Sequence, residues 1–332
     1  MFRWQRTGSV LILVVWTICL LSILAVALGS RCAFALGLTD RLEQQLRASY
    51  IAASGVQQAA QTLISDKNIS IDGVNDVWAN NSNEFFERPF GGGTFTVSAP
   101  NFAAPGKPAR AGLIDQERFI NLNTATPEIL KQLIQRASGI KSLEAVTIAE
   151  SIVDWRDKDK EALPSGAEDY YYLGLSTAYE CKNGPFESVE ELLLVRGVTP
   201  EIFNRIRPYI TVYGSGAVNI NTADATVLEA LGLSTFGVQG MLAYRAGEDD
   251  ELGTDDDRVF NSAGALSAEL RALVPAEDAN RLVELASQKL IDVRSTAFEV
   301  RSVARLEGRE NAGAQVIAVI DRENKVLSWE EH

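Results

Sequence analysis

The sequence predicts an α+β protein. One long N-terminal helix leads, an antiparallel sheet is assembled from early and late strands, and a large all-α domain is inserted between them. Three observations carry this reading. Residues 10–28 form an apolar run broken only by Thr17 and Ser22. Three segments near the end alternate apolar and polar residues as strands do, and the stretch between about 119 and 286 is dominated by helix-start signals.

The apolar run is long enough to cross a bilayer core, which takes roughly 20 helical residues. Arg3 and Arg6 precede it, and positive charge stays on the cytoplasmic side, so everything after Arg31 is expected across the membrane. A cleaved secretory signal has a shorter core, of about 7 to 15 apolar residues. From Thr39 onward Leu42, Leu46, Ala53, Val56, Ala60 and Leu63 recur at threes and fours, which extends the helix as an amphipathic stalk to about Ile64. A basic leader ending in Gly8, followed by Ser9 and such a helix, resembles a type IV prepilin. The resemblance implies that a prepilin peptidase cuts between Gly8 and Ser9 and methylates the new amine. Most pilin-like subunits carry a glutamate at the fifth mature position, where it meets a neighbour's amine; here that residue is Leu13. An acid within the span is tolerated only with a partner. A subunit without it suits the end of a filament.

Composition narrows the chemistry. The 332 residues exceed the usual single-domain size, so two folded units beyond the anchor are expected. The net charge is −13, from 31 basic and 44 acidic residues, and loss of Arg3 and Arg6 leaves 29 against 44, or −15. Such a surface repels phosphate backbones. Cys19, Cys32 and Cys181 lie in different surroundings and imply no disulfide framework. The only histidine is His332, which removes Ser-His and Cys-His nucleophiles and histidine-rich metal sites. No enzyme activity is expected, because exposed carboxylate runs do not form the apolar cleft that carboxylate catalysis needs.

After the stalk, residues 66–87 are rich in Asn, Asp and Ser and read as a loop anchored by Trp78. Gly91-Gly92-Gly93 opens a strand at Thr94-Phe95-Thr96-Val97, residues 100–108 form a turn-rich connection, and residues 115–121 are a second candidate strand. Thr126-Pro127-Glu128 and Thr199-Pro200-Glu201 each place a capping hydroxyl before a proline at the first helical position. Ser188-Val189-Glu190-Glu191 is a capping box. Residues 298–303, 315–320 and 325–329 are the three closing strands.

Within the insert, Asn121-Leu122-Asn123-Thr124-Ala125 returns as Asn219-Ile220-Asn221-Thr222-Ala223, an offset of 98 residues. Between them residues 186–199 read as a helix, a tight turn at Gly197 and a second helix. This is similar to the helix-hairpin-helix (SAM-like) modules of DNA-binding proteins. Phosphate binding by that hairpin needs a second glycine and cationic support, whereas Thr199 and Glu201 stand here in an acidic chain. The module is therefore read as structural and the asparagines as turn braces.

Two acidic clusters are candidate Ca²⁺ sites, since that ion takes six to eight oxygen ligands from irregular loops. Residues 248–257 hold seven carboxylates in ten positions, with Asp249, Asp250, Glu251, Asp255, Asp256 and Asp257 as the candidate ligands. The second cluster has Asp154, Asp157, Asp159 and Glu168 as candidates. Asp157, Asp159, Glu161 and Glu168 fall at places 1, 3, 5 and 12 of a calcium loop, but Ala162 replaces the glycine of an EF-hand. The expected ion is structural.

The leader and span, Leu13, the Asn-Leu-Asn-Thr-Ala stretch, residues 154–168, the repeat at Asn219, the acidic loop at Gly253-Thr254-Asp255-Asp256 and the terminal strands together resemble the minor pseudopilin K family of type II secretion. The resemblance implies a pilin-like helix and sheet divided as a leader (1–8), span and stalk (9–64), first β part (65–118), helical insert (119–289) and C-terminal strands (290–332). It implies single-pass anchorage in an inner membrane with the C-terminal domain in the periplasm. The implied role is at the pseudopilus tip, helping to start assembly for protein export across the outer membrane. The implied partners are prepilin peptidase, the minor pseudopilins I, J and H, and the outer-membrane secretin or cargo, with no nucleic acid. The alternative is a minor pilin or DNA-binding receptor of a type IV pilus or competence machine, for which salt-sensitive DNA retention would be the sign.

Overall fold

The computed structural model describes residues 7–101, 108–254, 256–264, 268–308 and 313–332. Helix α1 (Thr7–Ser65) runs unbroken through span and stalk. Its first part stands bare, with Val10, Leu13, Trp16, Leu20 and Leu24 all exposed. Its last turns bury Ala48, Ile51, Ala52, Val56, Ala59, Ala60 and Leu63, the spacing that lines one helical face. The small residues on that face let the helix lie close to the sheet. The limit is Gly55, where a Cβ would come 2.1 Å from Ser302 Oγ and 3.0 Å from the Phe95 ring.

A six-stranded antiparallel sheet lies beneath. Strands β1 (Arg88–Phe90), β2 (Gly93–Val97), β8 (Ala297–Leu306), β9 (Gly313–Asp321) and β10 (Val326–Glu331) follow in that spatial order, and the short β3 (Ile114–Asp115) also pairs with β8. Phe95, Val97, Phe298, Val300, Ala304, Val316, Ala318 and Ile320 alternate along their strands and meet the stalk. The loop after the stalk contributes Trp78, whose ring meets Phe298 edge-on at 4.9 Å, and a single turn α2 (Ser82–Phe85) capped by Asn81. The architecture is α+β and pilin-like, with a long helix on an antiparallel sheet and a helical insert beside them.

The insert occupies the chain between β3 and β8 and builds its own core. Its helices are α3 (Pro127–Ser138), α4 (Ser142–Arg156), α5 (Asp169–Tyr172), α6 (Pro200–Ile206), α7 (Ala225–Ala230), α8 (Thr235–Arg245), α9 (Ala268–Leu273) and α10 (Ala276–Ser287). Thr126 and Thr199 cap α3 and α6 by accepting the Ile129 and Ile202 N–H groups, as their Thr-Pro openings predict.

Three expectations are corrected here. The insert is not all-α: it contains two parallel pairings of two residues each, β4 (Ile120–Asn121) with β5 (Ile210–Thr211), and β6 (Val218–Asn219) with β7 (Ile291–Asp292). The extended chain entering each Asn turn has buried N–H groups that the helices leave unmet, and these pairings satisfy them. The candidate strand at 115–121 is two strands, because Asp115 Oδ1 accepts the Glu117 N–H at 2.8 Å and turns the chain between them. The first limb of the 186–199 hairpin is a 3-10 helix (Val189–Leu194) rather than an α-helix, although Glu191 Oε1 does accept the Ser188 N–H at 3.2 Å as the capping box requires. Of the turn-rich connection at 100–108, residues 102–107 lie outside the described residues.

Sheet and insert are joined through buried polar groups drawn from distant parts of the chain. Arg322, from the β9–β10 turn, pairs with Asp72 and, at 3.2 Å, with Asp66; its Nε donates to the Ser295 carbonyl at 2.9 Å. Asp72 Oδ2 accepts the Ser295 N–H at 2.8 Å. Asp115 Oδ2 accepts the hydroxyls of Thr222 and Ser295 at 2.5 and 2.8 Å, and the Asn219 amide at 3.3 Å. Glu117 accepts the N–H groups of Ser215, Thr296 and Ala297 at 2.9, 3.0 and 3.2 Å. Burial pushes Asp72 up to about 6, against the pull of the Ser295 N–H and Arg322. Burial, with the neighbouring Glu117 charge, also raises Asp115.

Candidate functional site

The Asn-Thr-Ala repeat proves to be the visible part of a longer duplication. Asn121 Oδ1 accepts the Asn123 N–H at 2.8 Å, and Asn219 Oδ1 accepts the Asn221 N–H at 2.9 Å. Asn123 then holds Phe186, its Oδ1 accepting the N–H at 2.7 Å and its Nδ2 donating to the carbonyl at 3.0 Å. Asn221 holds Phe260 in the same way, at 2.7 and 3.1 Å. Helices α4 and α8 end in arginines that clamp the turn: Arg156 donates to the carbonyls of Leu122 and Ala125, and Arg245 to those of Ile220 and Ala223. Each copy closes when the Asn turn hydrogen-bonds its returning strand, Leu122 N–H to Thr211 and Ile220 N–H to Asp292. The sequence reading found the asparagines and missed the rest. The signals were the aromatic-Arg steps Trp155-Arg156 and Tyr244-Arg245, and the phenylalanines after each acidic loop.

An acidic loop follows each arginine, and the two differ. In the first, the ligand oxygens of Asp157, Asp159 and Glu168 lie within 4.8 Å of one another. Glu168 is 5% exposed and neither of its oxygens has a hydrogen-bond partner; the same holds for Asp157 Oδ1. Burial pushes Asp157 and Glu168 above the usual carboxylate range, and the carboxylates beside them add to the shift. Uncompensated buried charge of this kind is costly. The same three groups make an oxygen-only set suited to a hard divalent cation. Cys181 lies against Glu168 with its thiol pushed up to about 12 by burial. Asp154 does not join the group: it is fully buried and accepts the Leu163 N–H at 3.2 Å. Glu161 is exposed and donates its N–H to Asp159.

In the second loop Asp255 lies outside the described residues. Asp256 spends its Oδ2 on the N–H groups of Glu248 and Asp249, at 2.6 and 3.2 Å. Asp257 is buried and accepts the Gly253 N–H through Oδ2, while its Oδ1 has no partner. Asp249, Asp250 and Glu251 are exposed. At the other end of the chain Gly8 and Ser9 lie within the backbone of α1, just before the apolar stretch. That helix is the one, among the described residues, long and apolar enough to cross a membrane.

Comparison with known proteins shows what the chain is similar to. A family profile described as "Type II secretion system (T2SS), protein K" matches residues 113–215, the stretch that holds the first copy of the repeat and its acidic loop. The type II secretion system protein K of Aeromonas hydrophila is 28% identical over 342 residues, covering 97% of this chain and 96% of that protein. The chain is similar over nearly its whole length to type II secretion system protein K. The protein K of Klebsiella pneumoniae is 28% identical over 250 residues, covering 68% of this chain and 70% of its own length. The fold is shared with a chain in the crystal structure of the GspK–GspI–GspJ complex from the enterotoxigenic Escherichia coli type 2 secretion system. The TM-score is 0.62 at 19% identity, over 91% of this chain and 99% of that one. The likeness to protein K spans the apolar N-terminal helix, the pilin-like sheet and the insert together.

Proposed function

We propose that this chain is a minor pseudopilin at the tip of the type II secretion pseudopilus, where it joins the subunits I and J and helps to start assembly. The observation that carries the reading is the division of α1. Its first part is bare and apolar, fit for a bilayer and for neighbouring stalks, while its last turns are locked to a sheet that carries an insert of more than half the chain's bulk. A head of that width cannot be repeated along a thin shaft. Leu13 offers no acid to an incoming subunit, which favours a terminal place. The role is structural.

Processing at Gly8 and Ser9 belongs to the same reading. With prepilin peptidase co-expressed in membranes, the wild-type chain should shorten by its leader and Gly8→Ala should keep it. Normal shortening of the variant would defeat the prepilin assignment.

The metal reading follows from Asp157, Asp159 and Glu168. Ca²⁺ held by their converging oxygens would neutralise the buried charge and fasten the segment after α4 to α5. The run at 249–257 is a second candidate whose described carboxylates point to solvent or to their own backbone. A site filled at 100 times its dissociation constant adds about 2.7 kcal/mol to stability. Chelation of the full-length chain should therefore lower its melting temperature by several degrees, with Ca²⁺ restoring it and Glu168→Gln abolishing the difference. An unchanged melting temperature would remove the ion from the account.

A further inference from the structure

A cavity of about 1230 Å³ lies between the sheet and the insert. The loop after the stalk, the chain entering β3 and helix α8 all line it, through Phe86, Leu113 and Leu242. Its charged lining is Arg110, Arg118 and Arg245 with Asp115, Asp224, Asp250 and Glu251. The acids already have other places. Asp250 and Glu251 are exposed, and Asp224 is half-buried and caps α7 by accepting the Val227 N–H at 3.0 Å. Asp115 is spent on the hydroxyls of Thr222 and Ser295, where burial favours its protonated form.

Arg245 is 3% exposed and is engaged differently from its counterpart in the first copy. Arg156 reaches its two carbonyls with separate nitrogens, Nη1 and Nη2. Arg245 makes both of its bonds from Nη1, and its Nε has no hydrogen-bond partner. Among the described residues, the edge formed by its Nε and Nη2 is therefore unengaged. That is the edge with which a guanidinium grips a carboxylate by two parallel bonds. Asp224 and Asp257 act on Arg245 through space, but among the described residues neither pairs with it. Burial, and the Arg118 guanidinium near it, pull Arg245 down to about 9, which leaves it charged at neutral pH.

A buried charge with no opposite charge against it is costly, and an anion brought to the free edge would relieve that cost. One edge fits one carboxylate. The space is far larger than a water needs, about 30 Å³ of liquid volume, and Phe86, Ala99, Leu113 and Leu242 give it apolar walls. Apolar walls with a few placed polar groups suit an organic ligand rather than a bare inorganic ion. Arg110 stands in the same lining with its Nη2 on the Leu252 carbonyl, beside the exposed acids at 250 and 251.

We propose that this cavity is a ligand site in which the Nε–Nη2 edge of Arg245 holds the carboxylate of an organic acid whose apolar body lies against Leu113 and Leu242. The inference does not depend on the place of the chain in a filament. The carboxylate can come from the end of a peptide chain or from a free small acid, and both present the same group to Arg245. The test titrates the full-length chain in detergent with N-acetyl-leucine and with N-acetyl-leucine amide, followed by calorimetry. The acid should bind about tenfold more tightly than the amide, the usual gain from hydrogen bonds to a charged group. Ala243 is exposed on α8 and lines the same cavity. Ala243→Glu should therefore weaken the acid about tenfold at an unchanged melting temperature, while Ala243→Gln, of the same size, should not. Equal affinity for acid and amide, no binding of the acid, or equal loss in the two variants would overturn the site. A short peptide with a free C-terminal leucine separates the sources: tighter binding than N-acetyl-leucine assigns the site to a chain end, and weaker binding assigns it to a free acid.

Discussion

Replacing Arg322 with alanine should destabilise the protein by about 3–5 kcal/mol, the usual cost of removing one partner from a buried pair. Arg322 binds Asp66 and Asp72, donates to the Ser295 carbonyl and stacks 5.2 Å over the Phe298 ring, so its loss strands a fully buried Asp72. The pH dependence carries a sign. The folded pKa of Asp72, about 6, is above its unfolded value of about 3.9, so the folded state binds the extra proton. The stability this group confers is complete below pH 4 and is lost as pH rises through 6. Without Arg322 the folded pKa rises further, and the deficit of the variant should shrink in acid. Denaturant melts at pH 4.5 and 7.5 check this, and a deficit that does not depend on pH would show that Asp72 is not the stranded group.

Asn221→Leu should cost about 3 kcal/mol. The change keeps the branched shape and removes both hydrogen bonds to Phe260, leaving a buried N–H and a buried carbonyl unmet at about 1–3 kcal/mol each. Asn123→Leu removes the matching pair at Phe186, but Asn123 is only half-buried and water can replace part of what is lost. Equilibrium unfolding of the two variants should rank Asn221→Leu as the more damaging. Equal or reversed effects would mean that the two copies do not depend on their turns in the way the geometry indicates.

The parts legible in the sequence are those with a long period. Leu42 to Leu63 repeat for about six turns, and residues 298–303 and 315–320 alternate long enough for pairing and burial to follow. The capped starts at Thr126 and Thr199 were legible because the cap is local chemistry. The parallel pairings of β4 with β5 and β6 with β7 were not, since two residues have no period and their partners lie about 70 to 90 residues away. The acidic cluster was half legible. Spacing along 157–168 indicated which carboxylates could converge, but the number of acids at 248–257 could not say that Asp256 would turn onto its own backbone. Nothing local in the sequence marks what Arg156 and Arg245 do, and only the fold shows them holding carbonyls inside the insert.

If the proposed place at the tip holds, this broad insert sits at the end of a filament. Pseudopili assembled with the complete set of subunits, labelled through a tag on the insert and viewed by electron microscopy, should carry label at one end. Label repeated at regular intervals along the shaft would contradict the account.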